Sequence, residues 1–102
     1  MRESKMAIHV EVRLLGTFQR LSGKKRFQLK LKEPATVKEV VLKLTEMFSS
    51  EFGRVLVDSQ LDDPGPNALI LVGGKEIGAL QGLETEVKDA DEVVLLPRVH
   101  GG

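Results

Sequence analysis

The last apolar run of the chain, "EVVLLP" at residues 92–97, constrains the fold more than any other segment. Successive side chains of a strand point to opposite faces, so four consecutive apolar residues make both faces of this strand apolar. A strand of this kind is typical of the middle of a sheet that is covered on both sides. We therefore expect the other strands to be arranged around Glu92 to Leu96.

Three earlier segments supply the neighbouring strands. From Ile8 to Leu14 apolar and polar side chains alternate, which predicts a half-buried strand. The same alternation from Phe27 to Leu31 predicts its hairpin partner, with "GTFQRLSGKK" as the turn region between them. The run "ALILV" predicts a short apolar strand, and "GGKEI" predicts a tight turn into another short strand.

One segment has helical spacing. Thr36 and Glu39 form a capping-box pattern, which marks a helix start. The apolar stripe that follows consists of Val37, Val40, Val41, Leu44, Met47 and Phe48. A helix at this place allows a parallel crossover, so the last strand should lie parallel to and beside Ile8 to Leu15. The sequence thus predicts an α+β fold, with one main helix packed across a mixed sheet of four to five strands.

Composition excludes several classes of protein. The 102 residues suffice for one domain, and fifteen basic side chains balance fifteen acidic ones. This balance argues against broad electrostatic binding to nucleic acid or to a membrane surface. With no cysteine, the chain supplies no thiolate nucleophile or thiolate metal site. The chain has neither a membrane-length apolar segment nor the apolar core of a signal peptide at its start, so we expect a cytoplasmic location.

No internal motif predicts a catalytic, metal or cofactor site. His9 points outward from a predicted strand, His100 lies near the end of the chain, and neither has a matching nucleophile pattern. The "VGGK" segment lacks the spacing of a phosphate-binding loop. The aspartates of residues 58–63 do not have the spacing of a calcium loop. The "KKR" run at Lys24 to Arg26 is best interpreted as a solvated turn.

The stretch "NALILVGGKEIGALQGLETEVKDADEVVLLPRVHGG" resembles the C-terminal third of the ubiquitin-like sulfur carriers. That family includes the small subunit of molybdopterin synthase, the thiamine-pathway sulfur carrier, the small archaeal modifiers and the ubiquitin-related modifier. A weaker match extends the resemblance over Ile8 to Gly102. It implies a β-grasp domain at residues 8–97, between flexible tails at residues 1–7 and 98–102.

The match has departures in three places. Many family members have Asn-Gly where this chain has Gly73-Gly74, and Asp-Gly-Asp where it has Ala90 between two aspartates. Arg98 stands where carriers for molybdopterin often have a second proline, and His100 before the diglycine is similar to the ubiquitin-related modifiers. The pathway that the protein serves therefore stays open.

The resemblance implies that the C-terminal carboxylate of Gly102, presented on Gly101, is the reactive group. An ATP-dependent adenylyltransferase of the ubiquitin-activating type would convert it to an acyl-adenylate. Sulfide would then give a thiocarboxylate for the large subunit of molybdopterin synthase or another acceptor, whereas a target lysine would give an amide. The chain itself would be a monomeric carrier, neither an enzyme nor the holder of a cofactor. A plain interaction domain with an incidental diglycine is the remaining alternative.

A partner-binding surface is predicted beside the tail. Leu15 breaks the alternation of the first strand and faces away from the core. The family match selects Val94 and Leu96 as the outward pair of the last strand and places Leu80 beside them. An exposed apolar patch normally marks an interaction site. We expect Leu15, Leu80 and Leu96, with Arg98, Val99 and His100 of the tail, to contact partners. The alternative is that these outward-facing leucines are covered within the chain, by the connector of residues 83–91 or by Met1–Met6.

Overall fold

The computed structural model describes residues 6–57 and 68–97. Their secondary structure consists of seven strands, three α-helices and two 3₁₀ turns. In chain order these elements are β1 (Ala7–Leu14), α1 (Thr17–Ser22), β2 (Arg26–Lys32), β3 (Ala35–Thr36), α2 (Val37–Met47), α3 (Ser50–Val57), β4 (Ala68–Val72), β5 (Lys75–Glu76), the turns Ile77–Ala79 and Gly82–Glu84, β6 (Glu86–Val87) and β7 (Glu92–Pro97).

The main sheet has five strands in the order β2-β1-β7-β4-β5. Strand β7 is its centre: it pairs parallel with β1, where Leu14 lies opposite Leu95, and antiparallel with β4, where Ile70 lies opposite the same residue. Strand β2 pairs antiparallel with β1. The mixed β-grasp sheet and the central, parallel position of the last strand are therefore confirmed.

The hydrophobic core lies between one face of this sheet and the helices. Val10, Val12, Leu14 and Leu95 of the sheet are buried there, together with four of the six residues of the predicted helix stripe. In α2 the buried residues are Val37, Val40, Val41 and Leu44. The Thr36 N–H donates to Glu39 Oε1 at 2.9 Å, which satisfies one of the free amides at the helix start, as the capping box predicted.

Two predicted details of this region differ in the structure. Met47 was assigned to the buried stripe, but it is 45% exposed because α2 ends there and the chain turns into α3. The turn region "GTFQRLSGKK" contains the helix α1, whose Phe18 is fully buried. The rings of Phe18 and Phe52 pack edge to face at 5.5 Å between centroids, which joins α1 to α3 in the core.

The charged connector forms more structure than its sequence indicated. Glu86–Val87 pairs with Ala35–Thr36 as a two-stranded ladder directly before α2. The Val37 N–H donates to the Thr85 carbonyl at 2.9 Å, and the Thr85 hydroxyl accepts the Gln81 N–H at 3.0 Å. The connector thus pairs with the start of α2 instead of covering the outer face of the sheet.

Candidate functional site

The chain leaves the sheet at the end of its central strand. Pro97 is the last residue of β7 and lies opposite Ala68 of β4. The predicted tail contacts Arg98, Val99 and His100, and the predicted reactive residues Gly101 and Gly102, lie outside the described residues. Five residues follow Pro97, and a fully extended segment of that length spans at most about 18 Å. Any partner that acts on the terminus must therefore approach the molecule close to Pro97.

The turn from β1 into α1 packs against this exit point. Gly16 has φ 58° and ψ −130°, a backbone conformation that is accessible almost only to glycine. A Cβ atom on Gly16 would lie 2.7 Å from Pro97 Cγ and 2.9 Å from Pro97 Cδ. The Leu15 N–H donates to the Leu95 carbonyl at 3.0 Å, which ties the same turn to β7. Gly16 therefore allows the turn to lie directly against the base of the tail.

The sheet face opposite the core carries an apolar patch beside Pro97. The patch consists of five residues: Leu15, Leu69, Leu71, Val94 and Leu96. Leu96 lies opposite Leu69, and Val94 lies opposite Leu71, so each pair shares a face. Both pairs alternate with the core-facing residues Ile70 and Leu95. The buried side chains of α1, α2 and α3 all pack on the other face of the sheet.

The patch residues differ in their exposure. Leu15, Leu69, Leu71 and Leu96 are partly exposed. Val94 was predicted to face outward, and it does lie on the outer face, but it is only 7% exposed. Its neighbours on that face, Arg13 of β1 and Leu71 of β4, flank it on both sides and leave little of it open to water.

Leu80, which the sequence analysis predicted as a contact residue, is 38% exposed. It follows the 3₁₀ turn Ile77–Ala79, and its N–H donates to the Ile77 carbonyl at 2.9 Å. This turn comes directly after the edge strand β5, which pairs with β4. Leu80 is thus outside the strand ladder, on the segment that leaves the β4–β5 edge.

Charged residues occupy the outer face on the side of β1 and β2. Arg13 pairs with Glu92 at 3.7 Å, and Arg26 pairs with Glu11 at 3.3 Å. All four side chains are partly exposed, so each pair contributes at most about 1 kcal/mol to stability. They divide the face into a charged half and an apolar half, and the apolar half adjoins the exit of the tail.

The other sequence features have structural roles in the described residues. Gly73 and Gly74 have φ values of 59° and 85° and form the tight turn between β4 and β5, so "VGGK" is a turn as predicted. The His9 N–H donates to Asp89 Oδ1 at 2.8 Å, and its carbonyl accepts the Ala90 N–H at the same distance. Within residues 6–57 and 68–97 there is no cluster of three potential metal-binding side chains. No helix in those ranges is long and apolar enough to cross a membrane.

Sequence reasoning missed Gly16, Leu69 and Leu71 as parts of this site. The run "ALILV" is apolar on both faces, as "EVVLLP" is, and the same two-face reasoning applied to it would have found Leu69 and Leu71. No local sequence pattern could have identified Gly16, because its role depends on contact with Pro97, which is 81 positions away in the sequence.

The fold and the sequence of the exit define a class of protein: a small β-grasp domain whose central strand leads past an apolar patch into a C-terminal diglycine. Comparison with known proteins identifies the family. The model of the ThiS family matches residues 12–102. The chain belongs to the ThiS family, a group of ubiquitin-like carrier and modifier proteins that are not themselves enzymes.

Two relatives have contrasting names. The chain is 30% identical to small archaeal modifier protein 3 of Haloferax volcanii, over 93% of this chain and 100% of that protein. It is 34% identical to a putative sulfur carrier protein of Archaeoglobus fulgidus, over 69% of this chain and 77% of that protein.

Solved structures show the same fold. The solution structure of small archaeal modifier protein 1 from Methanosarcina acetivorans superposes with a TM-score of 0.77 at 29% identity, covering 95% of this chain and 99% of the other. A chain in the crystal structure of the Amycolatopsis orientalis BexX/CysO complex gives 0.69 at 26% identity, covering 91% and 99%.

Proposed function

We propose that this chain is a sulfur carrier of the type that forms the small subunit of molybdopterin synthase. One observation carries the proposal: the central strand β7 ends at Pro97 beside the apolar patch, and the sequence continues from there into Gly101 and Gly102. A diglycine has no side chains, so it fits a narrow channel in a partner enzyme.

The proposed chemistry takes place at the carboxylate of Gly102. An oxygen of that carboxylate attacks the α-phosphorus of ATP, pyrophosphate leaves, and an acyl-adenylate forms. Hydrosulfide then attacks the acyl carbon, a C–S bond forms, and the C–O bond to AMP breaks with loss of one proton. The product is a thiocarboxylate and free AMP. ATP is bound by the activating enzyme, and the carrier itself binds no cofactor or metal in this scheme.

The folded domain has the task of positioning the terminus. The short reach of the tail requires that the activating enzyme and the acceptor bind close to Pro97, and the apolar patch is the surface at that place. We propose that Leu15, Leu96 and Leu80, with Arg98 to His100 of the tail, contact these partners. Binding energy from the domain then orients the reacting carboxylate, although the domain itself takes no direct part in the chemistry. The carrier would be a monomer when free, in the cytoplasm.

A second function uses the same acyl-adenylate. An amine of a target lysine can attack the acyl carbon in place of hydrosulfide, giving an isopeptide bond and AMP. This alternative rests on the name of the relative that the chain matches over its whole length, small archaeal modifier protein 3. The two functions differ only in the nucleophile that the partners supply, so one chain can serve both.

The absence of cysteine gives a direct test of the thiocarboxylate. The protein is incubated with its activating enzyme, ATP and sulfide, and then treated with iodoacetamide. Because the chain has no cysteine, uptake of one carbamidomethyl group reports the terminal thiocarboxylate. A mass gain of about 16 Da alone is ambiguous, since oxidation of a methionine adds the same mass. Alkylation that depends on ATP supports the sulfur-carrier function. Covalent adducts between this protein and lysines of other proteins, formed in a cell extract, support the modifier function.

The matched control is the chain without Gly101 and Gly102. Its melting temperature should equal that of the full chain, because two glycines bury almost no apolar area. It should form no adenylate and take up no carbamidomethyl group. Adenylate formation by the truncated chain would contradict the proposed role of the terminal carboxylate.

A further inference from the structure

Strand β2 forms one edge of the main sheet within the described residues, and its partner on one side is β1. The Leu14 N–H donates to the Lys25 carbonyl, and the Glu33 N–H donates to the Met6 carbonyl. Antiparallel pairs alternate between bonded and non-bonded positions, so the odd-numbered residues of β2 bond to β1. The N–H and C=O groups of Arg26, Gln28, Lys30 and Lys32 therefore point to the open edge.

A groove of about 650 Å³ runs along this edge, between β2 and α2. Its strand side is formed by Lys30, Leu31 and Lys32. Its helix side is formed by Leu42, Lys43 and two glutamates. Leu42 is 50% exposed and lies on the side of α2 that faces the groove. The groove thus places the exposed side chain of Leu42 beside backbone groups that pair with no other strand of residues 6–57 and 68–97.

The charge of the edge strand is of one sign. The side chains that β2 presents on its exposed face are Arg26, Gln28, Lys30 and Lys32, with no acidic residue among them. Arg26 is paired with Glu11. No carboxylate of the described residues lies within 4.0 Å of the Lys30 or Lys32 ammonium group. A strand laid beside β2 would therefore face positive charge on one of its faces. Its other face would meet Leu42 together with Lys43, Glu39 and Glu46, so its acidic side chains belong on the first face and its apolar side chains on the second.

We propose that β2 and this groove bind an extended segment of a partner protein in which acidic and apolar residues alternate. The segment adds a sixth strand to the sheet, and its backbone pairs with the free groups of Gln28 and Lys30. Its acidic side chains lie opposite Lys30 and Lys32, as opposite charges on neighbouring strands do. Its apolar side chains cover Leu42, which is 50% exposed, whereas Leu31 is already buried in the core.

This site is separate from the exit of the tail. The groove includes Ala7, at the start of β1. Gly16 and its neighbour Pro97 lie beyond the other end of β1, which is at Leu14. Seven residue steps from Ala7 to Leu14 correspond to about 23 Å along a strand. The groove can therefore hold a peptide while the terminus is in the active site of another protein, and its occupancy does not depend on the chemistry at Gly102.

The test uses the isotope-labelled full chain and a blocked peptide of about eight residues that alternates aspartate with valine. Binding should slow hydrogen exchange at the Gln28, Lys30 and Lys32 amides, which become bonded to the peptide. The amides of Phe27 and Leu29 already bond to β1 and serve as the internal control. A peptide of the same composition, with its aspartates and valines in separate blocks, should bind at least about tenfold more weakly.

Protein variants complete the design. Lys30→Glu combined with Lys32→Glu should weaken binding of the alternating peptide at least about tenfold, because the new charges repel its aspartates. Leu42→Ser should weaken it while the chain stays folded, since that side chain is half exposed. Lys75→Glu, on the edge strand β5 across the sheet, is the charge control and should leave binding unchanged. Adenylation of Gly102 should be normal in all of these variants.

Several outcomes would overturn the proposal. Unchanged exchange at Gln28 and Lys30 would show that the lysines only protect the edge against strand pairing. Slow exchange at these amides in the free chain, with a dimer in sedimentation, would show that a second copy occupies the groove. Slow exchange at these amides in a free chain that is monomeric would show that the N-terminal segment of the chain itself occupies the groove. Peptide-induced changes confined to Leu69 and Leu71 would move the binding site to the apolar patch.

Discussion

Ala90 has a backbone conformation that its side chain disfavours. Its φ is 73°, and it is the one non-glycine residue with positive φ in the described parts of the chain. The conformation is held because the Ala90 N–H donates to the His9 carbonyl at 2.8 Å while Asp89 accepts the His9 N–H. These two bonds fix the connector to the start of β1. The family resemblance has glycine at this position, which is the residue that the geometry prefers.

Replacing Ala90 with glycine should therefore stabilise the protein. Relief of the left-handed alanine conformation gains about 1–2 kcal/mol, and the extra freedom of glycine in the unfolded chain removes part of that gain. We expect a net increase of about 0.5–1 kcal/mol in the free energy of unfolding, measured in urea. Ala79→Gly, at an exposed alanine without positive φ, is the control and should lower stability. A loss of stability in Ala90→Gly would contradict this explanation.

Gly16 should tolerate alanine worse than another glycine with positive φ. Gly16→Ala combines a disfavoured backbone with a Cβ placed 2.7 Å from Pro97 Cγ, and should cost about 2–4 kcal/mol. Gly23→Ala is the control, because its φ is 76° but its Cβ would meet nothing within 4 Å. The difference between the two variants combines the contact with Pro97 and the backbone strain of Gly16, because Gly23 lies in the left-handed helical region, with φ 76° and ψ 10°.

A double-mutant cycle isolates that contact. Pro97→Ala removes the Cγ and Cδ atoms that a Gly16 side chain would meet, so Gly16→Ala should cost less in this background than in the parent chain. Equal costs in both backgrounds would mean that the backbone conformation of Gly16, and not the clash, explains the loss of stability.

At the scale of elements, α2 attaches to the sheet through one stripe of side chains. Leu44 is fully buried in that stripe, whereas Leu42 on the same helix is 50% exposed. Leu44→Ala should cost about 2–5 kcal/mol, because it leaves a cavity in the core. Leu42→Ala should cost less than about 0.5 kcal/mol. Urea unfolding of the two variants checks the assignment, and similar costs would show that the helix face is wrong.

Periodicity in the sequence was sufficient for the elements that bury one regular face. Strands β1 and β2 alternate over seven or eight residues, and α2 shows four buried residues at helical spacing. The central place of β7 followed from its two apolar faces, and the parallel pairing followed from the helix between the strands. These features are local or require only one step of topological reasoning.

The elements that the sequence did not predict depend on contacts between distant parts of the chain. Helix α1 has six residues, too few for a clear period, and is stabilised by burial of Phe18 against Phe52. Helix α3 begins at Ser50, two residues after the end of α2, and the sequence did not predict it as a separate helix. The patch at Pro97 was found only in part, because Leu69 joins it through pairing with Leu96.

At the scale of the whole molecule, the tail and two surfaces occupy different places along the sheet. The tail leaves from the central strand, the apolar patch lies beside that exit, and the groove between β2 and α2 lies toward the other end of β1. Folding depends on the opposite sheet face, where the helices pack. Stability and partner binding should therefore be separable by substitution.

Leu96→Asp tests this separation. In the free protein Leu96 is partly exposed on the outer face, so the variant should stay folded and lose about 1 kcal/mol of unfolding free energy. In a complex the same carboxylate would be buried without a partner, which should weaken binding to the activating enzyme by about 2 kcal/mol or more. Melting and partner affinity are measured on the same sample, with Lys38→Asp on the exposed side of α2 as the charge control. Unfolding of the variant would place Leu96 in the core, whereas normal melting with unchanged affinity would exclude the apolar patch as the partner-binding surface.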